Sequence, residues 1–179
     1  MNRYLPISVA IVVAYITFVP TALYAEEFSD AKKGSISQNC NAIKTSLSSL
    51  QKTDSKTRVL LGASYQTVLT NFLAPLNIRL IKANLSDANL STTQANIASE
   101  WTTFQDQFTK YSQSLEGLIS IDCKSHPEDF YEKLEATRSS RKSLNKTAIK
   151  INNLVKTSVS TVTDLRDSLL KKGGKDGTL

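Results

Sequence analysis

The chain holds a single histidine, His126, and two cysteines, Cys40 and Cys123. One histidine gives a His-based metal centre or a Ser/His/Asp constellation just one candidate. His126 also stands beside Pro127 at a helix start, where capping accounts for it equally well. Asp122, Glu128, Asp129 and Glu132 gather at the same point. Two of them could work as a carboxylate pair on a glycan, yet a helix N-terminus attracts acids on electrostatic grounds alone. The sequence has no Gly-rich phosphate loop, no Cys-x-x-Cys and no His-Glu pair on a helix. The expectation is a chain that is not an enzyme, with no cofactor, no metal and no small-molecule substrate.

The basic residues are a stronger signal. Arg138, Lys142, Lys146 and Lys150 recur every four residues, and Arg141 falls beside them at a core position of the helical repeat. A charge there sets register by pairing with a neighbouring acid, or snorkels out between helices. Together the five are the candidate anion-contact surface. Such a stripe would hold an anionic cell-surface polymer or lipid by salt-sensitive attraction. Nucleic acid ranks lower, because no aromatic residues interleave to stack bases. Residues 137–179 carry ten basic and three acidic side chains, against 11 and 13 in residues 26–136. The plainer account is a solvated helix face that keeps the protein soluble.

Residues 5–25 are uncharged and follow Arg3, with small residues near Ala25. This is the layout of an export signal cleaved before Glu26. An uncleaved N-terminal membrane anchor is the alternative, since about 20 apolar residues can span a bilayer. Pro6 and Pro20 shorten the uninterrupted helix and favour cleavage. In an oxidising compartment, an even pair of cysteines in one small domain reads as a disulfide.

The elements that would position these residues are helices. Ile36, Cys40, Ile43, Leu47 and Leu50 alternate steps of four and three, which lays one narrow apolar seam along a helix. After a polar run from Lys52 to Thr57 the seam resumes at Leu61, Tyr65, Val68 and Phe72, so one long helix is expected, loosened near Asp54 and kinked near Pro75. Ser91 and Gln94 form a capping box that would start the next helix, with the seam Ile97, Trp101, Phe104, Phe108, Tyr111, Leu115 and Leu118. At these positions Trp101 reads as core before it reads as a binding surface. Ser125, Pro127 and Glu128 open the last helix, whose seam runs from Phe130 through Leu134, Thr137, Arg141, Leu144, Ala148 and Ile151 to Leu169.

If the first two helices turn back between residues 75 and 91, Cys40 lies 35 residues before Pro75 and Cys123 lies 32 after Ser91. At 1.5 Å per residue the mismatch is about 5 Å, within reach of a bridge after small adjustments. A straight helix continuing to residue 84 would spoil this match.

Leu61-Gly62, Tyr65, the run Ala74 to Arg79, Asn89-Leu90-Ser91, Ile121-Asp122-Cys123 and the run Pro127 to Tyr131 carry a resemblance. Over residues 36–165 the chain resembles uncharacterised exported helical proteins of Saccharibacteria and related candidate-phyla bacteria. The resemblance implies export, a long helical build and a bacterial source, and it transfers no functional residue. A bacterial source argues against glycosylation of the Asn-x-Ser/Thr triplets at Asn84, Asn89 and Asn145.

The expected fold is all-α, an elongated antiparallel three-helix coiled-coil bundle with a Cys40–Cys123 disulfide. Residues 1–25 are assigned to the signal peptide, 26–35 to an N-terminal linker, 36–170 to the coiled-coil domain and 171–179 to a disordered basic tail. The function expected is that of an exported structural or interaction module, secreted or at the cell surface, that packs against another protein or a second copy of itself. Binding of an anionic polymer or membrane through the last helix is the alternative.

Overall fold

The computed structural model describes residues 28–173. The expected signal peptide and the chain beyond Gly173 lie outside the described residues. The fold is all-α. Its first limb is α1 (Asp30–Thr67), a set of π-helical turns (Val68–Leu73) and α2 (Ala74–Lys82); α3 (Ala88–Ser120) and α4 (Pro127–Gly173) are the second and third limbs. With 47 residues, α4 is roughly 70 Å long at 1.5 Å per residue.

Cross-helix hydrogen bonds give the directions. Along α4, Thr137, Thr147 and Lys150 pair in turn with Ser114, Gln107 and Glu100 of α3, so these two helices run antiparallel. Asp54 meets Arg141 and the Tyr65 hydroxyl reaches the Ala148 carbonyl, so α1 runs parallel to α4.

Local chemistry sets the helix ends, in places not where the spacing predicts. α1 starts at Asp30, because the Ser29 side chain accepts from the Lys32 N–H and Phe28 stacks on Tyr131 of α4 at 4.7 Å. The linker assigned to 26–35 is therefore helical from Asp30 onward. α2 ends in a Schellman turn: Asn84 takes φ 55°, the Leu85 N–H donates to the Leu80 carbonyl, and the Asn84 N–H donates to that of Ile81. The cap of α3 is Asp87, whose carboxylate accepts from the Leu90 N–H, in place of the expected Ser91 box. Ser91 bonds back to the Asp87 carbonyl, and Gln94 is taken by Asn77 of α2.

At the start of α4, Pro127 is the first helical residue as the sequence predicts, but the Ser125 hydroxyl donates to Asp122 and caps nothing. Asp122 organises the turn by accepting also from the Lys124 N–H, and these bonds hold its carboxyl below the ordinary value. Of the basic tail assigned from residue 171, the first three residues are helical, since α4 continues to Gly173.

The irregularity expected near Pro75 comes just ahead of it. Through Val68–Leu73 the bonds widen, and the Ala74 N–H reaches back five residues to the Leu69 carbonyl. A π turn admits one extra residue without ending the helix. The seam accordingly slips by one: Leu69, Leu73 and Leu80 are buried, whereas Phe72, expected in the seam, is 65% exposed. No loosening occurs at Asp54, where α1 is continuous.

Two apolar clusters fill the bundle. One joins Tyr65, Leu69, Leu73, Leu80, Leu90, Ile97, Phe104 and Ile151; the other joins Phe108, Tyr111, Leu115, Leu118 and Phe130 with the two cysteines. The Cys40–Cys123 disulfide ties α1 to the turn before α4, with Cα atoms 5.5 Å apart across a separation of 83 residues. A helix running past Pro75 to Lys82 does not spoil the match. α3 is shorter than the first limb, and the residues that flank it, Asp87 and Ile121, are extended, a conformation that advances about 3.3 Å per residue against about 1.5 Å in a helix.

Candidate functional site

The polar run in α1 falls between the two apolar clusters, and the seam position after Leu50 belongs to Asp54. α3 contributes Tyr111 at the same level and α4 contributes Arg141. The Tyr111 hydroxyl donates to Asp54 Oδ2 at 2.6 Å, and Arg141 grips the same carboxylate with Nε at 2.9 Å and a terminal nitrogen at 3.0 Å. One acid thus satisfies a donor from each of the other helices. Tyr111 is 1% exposed. Burial first, then the hydrogen bond and charge of Asp54, push its hydroxyl well above the ordinary phenol range. The hydrogen bond to Asp54, aided by its charge, outweighs partial burial and raises Arg141 as well.

Beside this layer, between α1 and α4, a groove of about 500 Å³ opens over α3. Its apolar surface includes Leu61, Phe104, Phe108 and Leu144, and its charged surface is Arg58, Arg138, Arg141 and Lys142 against Asp54. The four cations differ in what they already hold. Arg141 is bound to Asp54 and Arg138 to Glu135 at 2.5 Å. Arg58 is half-buried, its guanidinium 4.1 Å from the centroid of the Phe108 ring, and makes no ion pair among the described residues. Lys142 is exposed and makes none either.

The five candidate anion contacts therefore do not form one uncommitted stripe. Lys150 is held by Glu100 of α3 at 2.5 Å, so Arg138, Arg141 and Lys150 all face an acid of the chain itself. Lys142 and Lys146 remain exposed without an ion pair among the described residues. Trp101 lies half-buried against the first cluster, and its indole N–H is buried with no acceptor among the described residues.

No family model, curated protein or solved structure matches the chain. What the site can do is read from its own residues.

The acids around the start of α4 do not converge. Glu128 pairs with Lys33 of α1, Asp122 is spent on its own turn, and His126 offers its carbonyl to the Phe130 N–H. Among the described residues no group of three His, Cys, Asp or Glu could hold a metal ion, and no helix is long and apolar enough to cross a membrane. Sequence reasoning missed Asp54, Tyr111 and Arg58 as a set. The signal was available for Asp54: counting four onward from Leu50 lands on it. For Arg58 there was none, because its place over Phe108 depends on how α1 leans on α3.

Proposed function

We propose that the chain is an exported, disulfide-clasped helical module that serves as a structural or docking element at the cell surface or outside the cell. The observation that carries this reading is the Cys40–Cys123 disulfide, because such a bond persists in an oxidising compartment. The uncharged run of residues 5–25 and the resemblance to exported bacterial helical proteins support it. The three seams are used for packing within the chain, which leaves the outer helix faces as the surface for a partner protein or a second copy.

The reading is tested by non-reducing intact mass spectrometry of protein recovered outside the source cell. The expected species begins at Glu26 and is lighter than its reduced form by two hydrogens. A full-length, cell-retained chain with two free thiols would overturn the proposal.

Lys142 and Lys146 favour a second reading, contact with an anionic surface polymer or lipid through α4. Their side chains are exposed and carry no ion pair among the described residues. Retention on anionic liposomes or a teichoic-acid-like polymer should then fall with rising salt and vanish in Lys142→Glu/Lys146→Glu. Absence of retention at low salt removes this reading and leaves the first intact.

A further inference from the structure

The Arg58 guanidinium lies over the Phe108 ring, its carbon 4.1 Å from the centroid, an attraction that supplies its N–H groups with no carboxylate or carbonyl acceptor. Half-buried, it lacks full hydration, yet no carboxylate of the described chain answers it. Lys142 stands across the same groove with three donors and no ion pair among the described residues. The same groove is lined by the half-buried side chains of Leu61, Leu144 and Ala148, with the buried rings of Phe104 and Phe108 beneath them. A volume of about 500 Å³ lies within the usual range of small-molecule sites, roughly 300–1,000 Å³.

We propose that this groove binds a small anionic amphiphile, a carboxylate or phosphate head seated between Arg58 and Lys142 with its apolar body on Leu61, Leu144 and Ala148. The head supplies the counter-charge that Asp54 and Glu135 already give to Arg141 and Arg138. A planar guanidinium edge matches two oxygens of either head group, and the nearby low-dielectric surface strengthens that contact. The apolar body covers aliphatic surface that a simple inorganic anion would leave wet. The proposal does not depend on the compartment or on the docking role, and its failure would leave both standing.

Calorimetric titration of the full oxidised chain, with ligands kept below micelle formation, tests it. Decanoate and decyl phosphate should each bind one to one and separate the two head groups. Acetate, inorganic phosphate and decyltrimethylammonium should bind at least about tenfold more weakly, the loss expected for one missing charged or apolar contact. Arg58→Gln and Lys142→Gln should each weaken decyl phosphate by about three- to tenfold, while Lys156→Gln leaves it unchanged. Lys142 is exposed and Arg58 half-buried, and unchanged helical circular dichroism would verify the fold of each variant. Equal binding of the cationic amphiphile would mean apolar adsorption, and equal binding of inorganic phosphate a plain counter-ion site. Tighter binding of polyphosphate than of decyl phosphate would assign the cations to a polymer. Any of these, or no binding at all, overturns the proposal.

Discussion

Arg141 and Asp54, 87 residues apart in sequence, meet edge to edge, with both carboxylate oxygens accepting from the guanidinium at 2.9 and 3.0 Å. The two ends of this contact are unequally exposed: the Arg141 side chain is 51% exposed and that of Asp54 17%. Removing either partner should therefore not be symmetrical.

Asp54→Ala strands the buried Tyr111 hydroxyl as well as Arg141, and should destabilise by about 1–3 kcal/mol. Arg141→Ala removes a half-exposed head and leaves Asp54 with Tyr111, so about 1 kcal/mol or less is expected. Urea melts of the two variants check this ordering. A larger loss in Arg141→Ala would mean that the guanidinium, not the acid, organises the layer.

Much of the bundle was legible because periodicity is a local property. The seams of α3 and α4 appear in the structure as spaced, from Ile97 to Leu118 and from Phe130 to Leu165, because each helix keeps one face turned into the bundle along its length. Of the outcomes that a cation at a core position allows, Arg141 takes the pairing with an acid, Asp54. Less legible were the partnerships of individual side chains and the local register, within one helix as well as between two. Asp87 displaced Ser91 as a cap, and Phe72 left the seam when the π turns shifted the register. Arg138 and Lys150 looked available until Glu135 and Glu100 were seen beside them.

The bridge closes a loop whose ends are 83 residues apart, which in the chain-entropy model contributes about 4.5 kcal/mol. Cys40→Ser/Cys123→Ser should therefore lower Tm by roughly 10–20 °C in differential scanning calorimetry, by the usual conversion for a domain of this size. Reduction of the native chain should give a drop of similar size. A shift under a few degrees would show that packing alone holds the ends of α1 and α4.

Alkaline pH should act through the two buried phenols. Burial raises Tyr65, and burial together with Asp54 raises Tyr111, each from an ordinary value of 10.0. Their contribution is complete below the unfolded value and is lost as pH climbs towards the folded values, because the unfolded chain releases protons first. Helical circular dichroism followed above pH about 10 should fall together with the appearance of tyrosinate absorbance. Tyr111→Phe should flatten that dependence. Asp122 has the opposite sign: held below its ordinary 3.8 by Ser125 and backbone N–H groups, it stabilises above that value and ceases to as pH falls through the lowered one.

The π turns and Pro75 form a coupled pair that deletion can separate. With one residue removed, Leu61, Tyr65, Val68, Leu73, Leu76 and Leu80 would fall into unbroken steps of four and three, so the extra residue is what displaces Phe72 outward. Deleting the exposed Asn71 should restore regular i to i+4 bonding, but it also sets the Pro75 ring against a carbonyl four residues back. The expected cost is about 3 kcal/mol. Combining the deletion with Pro75→Ala should recover wild-type stability, whereas Pro75→Ala alone should change little, because the wide turn already accommodates the ring. Chemical denaturation of the three variants measures the coupling. Additive effects would show that proline and the wide turn are neighbours by coincidence.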